Sequence, residues 1–462
     1  MKTNIFTKKS KFEAPVEELF RWHARPGAIE RLSPPWDPLQ VISTTGGIQK
    51  GAEVRLRFKM GPVPYYWKAR HTEFDENVLF RDEAVSSPFS KWIHTHRFAA
   101  AGNGACTLED EIDFKLPWHP FRHSLSNRLV RRKLERIFQY RHTCTAQDIA
   151  QQLSVPNRYP RNILISGASG VIGTELIPFL TTAGHRVIKL RRKPIRNRDE
   201  ERFWDPSAGI LNPADLEGID AVIHLAGEPI GEGVWTSRKK ERILQSRNRG
   251  TRLLAETMAK LDQPPRTFIS ASAIGYYGNR GEERLTESDS PGDDFVSSVC
   301  HQWEAAAQPA EKKGIRTLFL RIGVVLDPSG GALSRLLLPF QMGLGAKISS
   351  GRQYTSWISL DDVLGSIYHL LHYESVAGPV NLTAPEPVTN AVLTRVLASV
   401  LSRPAVFTIP AIMIKTMFGQ MGREILLSGS RVLPTVLLDS GYQFRYQKPE
   451  ALLNHVLGKE IT

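Results

Sequence analysis

The sequence predicts an α/β chain whose larger part is a doubly wound parallel sheet with a small C-terminal subdomain, preceded by an α+β segment in which an antiparallel sheet carries one long helix. Three observations predict it. Residues 163–173 (ILISGASGVIG) run from an apolar strand into a glycine turn that opens a helix. From there to about residue 322, apolar strands alternate with helices at the spacing that gives parallel strands covered on both faces. Before residue 150 the apolar residues recur instead with period two, the mark of half-buried strands.

In chain order, an N-terminal strand precedes two short helices, Val16–Trp22 and Ala28–Leu32, interrupted at Pro26-Gly27. Strict alternation over Val54–Met60 is a strand, followed by strands over 66–74, 78–84, 92–98 and 107–114. A helix over 124–141 closes this segment; Val130, Leu134, Ile137 and Phe138 share one face and the cations the other. Pro156–Pro160 reads as a linker, because two prolines and polar neighbours break any period. Strands then fall at 163–166, 185–190, 221–226, 267–270 and 317–322, with helices from 171, over 239–261 and over 295–313. Asp361 and Asp362 could pair for acid/base work, but Ser359 or Asp361 before an apolar run is better read as the cap of a helix over 363–371. The expected units are 1–150, a linker at 151–161, 162–405 and 406–459.

Composition narrows the class. With 462 residues, 41% hydrophobic and 23% charged, the chain is globular and long enough for two to four domains. The net charge of +13 invites a nucleic-acid partner, but its densest stretch, Arg128–Arg141, is the outer face of the amphipathic helix, so no nucleic acid is expected. Three scattered cysteines signal neither a disulfide framework nor a zinc site. The absence of a signal-like start and of any 18-residue apolar run points to the cytoplasm, with no integral membrane segment. His94 and His96 share a strand face and could bind a metal, but no third ligand stands at a recognisable spacing, so none is predicted.

The glycine turn implies a dinucleotide. Gly167, Gly170 and Gly173 let the chain turn sharply, let backbone approach a pyrophosphate, and let the helix lie close on the strand. The helix N-terminus offers free N–H groups and a positive dipole end to phosphates. About 20 residues on, a carboxylate would suit a free ribose 2′-hydroxyl; Arg191-Arg192-Lys193 stands there instead and suits a 2′-phosphate. NADP is therefore expected over NAD.

The element order before residue 150 resembles the helix-grip fold of the START-like, polyketide-cyclase-like (SRPBCC) superfamily. That resemblance implies an apolar ligand held between sheet and helix, with Phe58, Trp67, Phe80 and Trp92 as candidate lining. Residues 161–459 resemble the atypical extended short-chain dehydrogenases of the epimerase/dehydratase type, on a Rossmann fold, through GASGVIG, HLAGEPI, SRNRGT, SASAIGYYG, RIGVVLD, WISLDDV and the terminal LLSGSRVLPTVLLDSGYQFRY. The resemblance places Gly167, Ser169, Gly170, Val171, Ile172 and Gly173 on the pyrophosphate and Arg191 and Arg192 at the 2′-phosphate. It puts Leu225, Ala226 and Gly227 beside the ribose, Arg247 facing the pocket and Val325 on the nicotinamide side.

One departure matters more than the matches. Extended enzymes of this type normally carry Tyr-x-x-x-Lys, the tyrosine as general acid/base and the lysine lowering its pKa; aligned on Glu304, those places hold Val296 and Cys300. Tyr276 or Tyr277 could present a phenol near the nicotinamide; Tyr277, with Ser272 assisting, is the expected donor to a substrate carbonyl, and the alternative is that Tyr277 is a packing aromatic beside Gly278. Two functions follow as expectations: an NADP-dependent oxidoreductase or epimerase acting on a small molecule, or an NADP-binding sensor or carrier without turnover.

Overall fold

The computed structural model describes residues 4–60, 63–117 and 123–459. The N-terminal part comprises β1 (Asn4–Phe12), α1 (Val16–Ala24), α2 (Ala28–Arg31), β2 (Leu39–Thr45), β3 (Glu53–Met60), β4 (Val63–Asp75), β5 (Leu79–Ser86), β6 (Lys91–Gly102), β7 (Ala105–Lys115) and α3 (His123–Leu153). The strands form one antiparallel sheet in the order β1-β7-β6-β5-β4-β3-β2. Leu134 and Phe138 of α3 pack on Phe6, Ile112 and Phe114, while Ile149 joins Phe12, Phe20, Phe80 and Phe98. This is the helix-grip arrangement. Two features escaped the periodicity. β2 is an edge strand with little burial on either face, so it carries no alternation. α3 runs to Leu153 rather than 141, past the expected boundary at 150: Ile149 carries its apolar face on into the core, while Asp148 and Gln152 are buried against polar partners.

The linker leads into β8 (Asn162–Ser166), α4 (Val171–Thr182), β9 (Arg186–Arg191), β10 (Glu201–Asp205), β11 (Ile210–Leu211), β12 (Ala221–His224), α5 (Ser237–Ala259), β13 (Thr267–Ala273) and β14 (Arg284–Leu285). Next come α6 (Phe295–Ala305), α7 (Gln308–Lys312), β15 (Arg316–Ile322), β16 (Val324–Asp327), α8 (Gly331–Gln341), β17 (Ala346–Ile348), β18 (Tyr354–Thr355), β19 (Trp357–Ser359), α9 (Leu360–His372) and β20 (Gly378–Leu382). The chain closes with β21 (Val388–Thr389), α10 (Asn390–Leu401), β22 (Phe407–Ile409), α11 (Ala411–Met421), β23 (Arg431–Val432), α12 (Thr435–Asp439) and α13 (Pro449–Val456).

The main sheet has the order β11-β10-β9-β8-β12-β13-β15-β20 and is parallel except for β11. Ile163, Leu164, Ile165, Ile223, Phe268 and Ile269 are fully buried, because helices cover both faces: α4 and α9 on one, α5 on the other. Strand order reverses between β8 and β12, and the crevice at their carboxyl ends is where such sheets take ligands. The helix expected over 295–313 is two, α6 and α7, since Pro309 cannot donate a backbone hydrogen bond.

The two parts are bolted together by charge. Arg31 of α2 donates from Nε and Nη2 to Asp148 of α3, both at 2.8 Å, and its Nη2 also lies 2.8 Å from Asp361 Oδ1 at the start of α9. Arg445 Nη2 reaches the same Asp148 at 2.8 Å. Gly27 presses on α4 so tightly that a Cβ there would lie 2.6 Å from Pro178 Cα.

Candidate functional site: a dinucleotide crevice

The crevice begins at the glycine turn. Gly167 has φ +74°, and a Cβ on it would lie 2.6 Å from the Leu225 carbonyl carbon; one on Gly173 would lie 2.3 Å from Gly167 O. Both positions therefore require glycine. Gly170 differs: it has ordinary φ, its N–H closes a turn on Gly167 O at 3.0 Å, and its Cβ would meet that oxygen only at 3.4 Å. No side chain caps α4, so its first N–H groups face the crevice uncapped. Ser169 is exposed beside them, while Val171 and Ile172 pack partly into the core. The Pro328–Gly331 loop lies on the turn, Gly330 leaving no room for a Cβ beside Val171 Cγ2 (2.4 Å).

Leu225 and Ala226 form the seat of Gly167, and Leu225 N–H donates to Ser166 O at 3.2 Å. Gly227 covers the Arg247 guanidinium, whose Cζ would be 3.4 Å from a Cβ there. Arg247 is 9% exposed, donates from Nη1 to Glu228 O and Ile243 O at 3.0 Å, and stacks 4.9 Å from the Trp303 ring. Burial lowers its pKa, and no described carboxylate lies within 4 Å to compensate its charge. Val325, in β16, pairs with Ile358 and packs against the core. At the end of β9, Arg191 donates to Glu201, whose other oxygen accepts Arg196 N–H at 2.8 Å. The backbone N–H of Arg196, then the Arg191 guanidinium, hold that carboxyl below its usual range. Arg192 is exposed and makes no hydrogen bond or ion pair among the described residues. One of the two expected phosphate-binding arginines is thus already engaged by an acid that spacing did not reveal.

Ser272 and Tyr277 are brought together, but by an internal network. The Ser272 hydroxyl donates to Glu304 Oε1 at 2.7 Å. Arg321 grips Glu304 in a fork, Nε to Oε1 and Nη2 to Oε2, both at 2.9 Å, and donates from Nη1 to the Tyr277 hydroxyl at 3.0 Å. Tyr277 donates onward to Asn381 Oδ1 at 2.7 Å. Asn381 N–H in turn meets Glu287 Oε1 at 3.0 Å. Tyr277 is wholly buried against Leu285 and Val432, and burial pushes its phenol up to about 12. Both hydroxyl protons are directed to internal acceptors, Glu304 and Asn381. Glu287 and Asn381 were missed because their partners lie far away in sequence, which no local period reports. Tyr276, half-buried, lies with its ring 3.5 Å from Arg321 Cζ. Val296 and Cys300 occupy the expected positions on α6; both are buried, and desolvation raises the thiol to about 12. Gly275 packs on Val296 so closely that a Cβ on it would lie 2.4 Å from Val296 Cγ1.

Behind the turn, Ser166 Oγ and His224 Nδ1 are 2.5 Å apart at the ends of β8 and β12, and burial drives His224 down to about 3. Across the mouth, Arg335 of α8 bonds Gly231 O and lies 3.5 Å from Glu232.

Three family descriptions match: NAD dependent epimerase/dehydratase family over residues 163–383, polyketide cyclase/dehydrase and lipid transport over 12–137, and a domain of unknown function, DUF1731, over 409–456. Epimerase family protein Mb2239 of Mycobacterium bovis is 39% identical over 284 residues, which span 62% of this chain and 93% of that protein. The chain belongs to the epimerase family. Human epimerase family protein SDR39U1 is 35% identical, covering 64% of this epimerase-family chain and 99% of its own. The crystal structure of a nucleoside-diphosphate sugar epimerase from Corynebacterium glutamicum aligns with TM-score 0.81 and 32% identity over 98% of this chain and 90% of that one, so the likeness includes the N-terminal part. Human SDR39U1 (isoform 2), solved with NADPH, aligns with TM-score 0.59 and 33% identity over 64% and 99%. No described helix is long and apolar enough to cross a membrane.

Proposed function

We propose that this epimerase-family chain is an NADP-dependent oxidoreductase or epimerase acting on a small molecule. The observation that carries the reading is the pair of obligatory glycines at 167 and 173 beneath an uncapped helix start, with unpartnered Arg192 at the end of β9. Gly167–Gly173 would hold the pyrophosphate, Arg192 and Arg191 the 2′-phosphate, and Arg247 would meet anionic charge through the covering Gly227. NADPH in the human relative supports the choice of cofactor. A bound nicotinamide supplies hydride transfer. The chain contributes orientation: Ser272 and Tyr277 fix Glu304 and Arg321, and so position the turn that carries Tyr276 at the sheet edge.

A second reading, NADP binding without turnover, is favoured by Val296 and Cys300, neither of which can move a proton at neutral pH. Titration with NADPH and NADH, followed by absorbance assay of NADPH consumption over a panel of aldehydes, ketones and nucleotide sugars, separates the readings. Preferential NADPH binding with consumption supports the enzyme, and tight binding with none supports the carrier. Equal or tighter NADH binding refutes the cofactor assignment.

A further inference from the structure

The interior of the N-terminal part holds a cluster that the dinucleotide crevice does not use. On neighbouring strands, β6 carries His94 and His96, β5 carries Asp82 directly opposite His94, and β7 carries Asp110 opposite His96. His94, His96 and Asp110 are 6%, 9% and 2% exposed. One ligand-capable atom from each of Asp82, His94 and His96 lies within 4.8 Å of the others. The third side chain that sequence spacing could not provide comes from the adjacent strand.

We propose that Asp82, His94 and His96 form a binding site for a divalent transition-metal ion, with Asp110 as the carboxylate that orients the two imidazoles. The geometry divides the roles. His94 Nε2 hydrogen-bonds Asp110 Oδ1 at 2.9 Å, which leaves Nδ1 directed to Asp82 Oδ1, 3.7 Å away. That is the carboxylate–histidine–metal arrangement in which a second carboxylate fixes tautomer and ring direction. His96 Nδ1 sits 2.6 Å from the same Oδ1, so Asp110 holds both rings through one oxygen. The two rings are 3.9 Å apart between centroids.

Among the described residues the Asp82 side chain accepts no hydrogen bond, and its close counter-group is the His94 ring. A half-buried carboxylate facing only an imidazole at 3.7 Å gains from a cation placed between them. Its side chain is 17% exposed, the most accessible of the set, and offers the way in. With metal–nitrogen bonds of about 2.0–2.1 Å, tetrahedral ligand atoms stand roughly 3.4 Å apart, so atoms now within 4.8 Å of one another need close by at most about 1.4 Å. Two imidazoles and one carboxylate suit Zn²⁺, Fe²⁺ or Co²⁺ rather than Mg²⁺ or Ca²⁺.

The surrounding groups agree. His142 donates from Nε2 to Asp110 Oδ2 (2.6 Å), and its Nδ1 lies 2.7 Å from Ser10 Oγ, completing the support of that carboxylate. His71 lies opposite Asp82 on β4, and its Nδ1 is buried without a partner. His23 bonds Leu19 O at 2.8 Å and stays outside the set. Arg141 is a permanent cation near both aspartates; it donates to Leu32 O at 3.1 Å and forms no ion pair with either among the described residues.

The test uses the full-length chain, stripped with chelator and titrated with ZnCl₂ by calorimetry and with CoCl₂ by visible absorption. The expected result is about one ion per chain and cobalt ligand-field bands of low-symmetry nitrogen and oxygen coordination. Asp82→Asn should weaken zinc binding at least tenfold, and Asp110→Asn by about 10–100-fold, while NADPH binding in the distant crevice stays unchanged and reports an intact fold. If Asp110→Asn misfolds, Asp82→Asn and the cobalt spectrum still decide. Failure to take up zinc, or zinc uptake that Asp82→Asn leaves unaltered, overturns the proposal.

Discussion

Gly173 and Gly170 look equivalent in sequence and are not equivalent in space. A Cβ on Gly173 collides with Gly167 O, whereas one on Gly170 meets it at the edge of ordinary contact. Gly173→Ala should therefore abolish NADPH binding measured by calorimetry, and Gly170→Ala should retain it to within about tenfold. At Arg192 the test is charge: Arg192→Ala should weaken NADPH at least tenfold, the order expected for a charge-assisted hydrogen bond of about 1.5–3 kcal/mol, with NADH unchanged. If both cofactors weaken equally, Arg192 does not select the phosphate. Tyr277→Phe leaves Asn381 Oδ1 without its buried donor, and should cost about 1–3 kcal/mol in equilibrium urea unfolding. Lost turnover at unchanged stability would return the phenol to a direct chemical role.

Helices and strands were legible where their partner was apolar. β8 and β12 hold short apolar runs, and β13 holds Phe268-Ile269 among small residues, because helices bury both faces; Ser359 does cap α9, its Oγ accepting Asp362 N–H at 2.8 Å. The last turns of α3 were not legible, because beside the apolar Ile149 they bury charge: Asp148 is shared by Arg31 and Arg445. Removing this carboxylate leaves two buried guanidiniums to share Asp361, and Asp148→Ala should cost about 3–5 kcal/mol by urea denaturation. A loss under about 1 kcal/mol would mean that the cluster tightens nothing. The aromatic lining expected for an apolar ligand also divides at this scale. Phe80 stacks in the core on His96 and Phe98, while Phe58, Trp67 and Trp92 form a separate ladder.

Across the whole molecule, burial leaves many histidines unable to take protons. His23, His369, His372 and His455 are held down to about 4, and His96, His185 and His224 to about 3. Their unfolded value is about 6.5. Below that pH the unfolded chain binds protons that the folded chain refuses, so stability falls as pH drops from about 6.5 towards 4. Glu175, raised to about 7 by burial, and Asp362, raised to about 6, act oppositely: folded, they keep protons that the unfolded chain has released. The histidines outnumber them. The melting temperature should therefore decline steadily from pH 7 to pH 5; a flat profile would contradict this. Because the charge cluster and the Gly27–Pro178 contact bind the two parts, the same scans should show one transition at neutral pH.

The sequence by itself determined the parallel sheet, the glycine turn and the absence of the tyrosine–lysine pair, because each is written in neighbouring residues as a period, a spacing or an identity. Only the tertiary structure decided that Glu201 engages Arg191, that Tyr277 and Ser272 spend their protons on Asn381 and Glu304, and that Asp82 joins His94 and His96. The physical reason is common to all three. Hydrogen bonds and charge pairing act over a few ångströms between side chains on different strands or helices, and strand order and register, not local pattern, choose those neighbours.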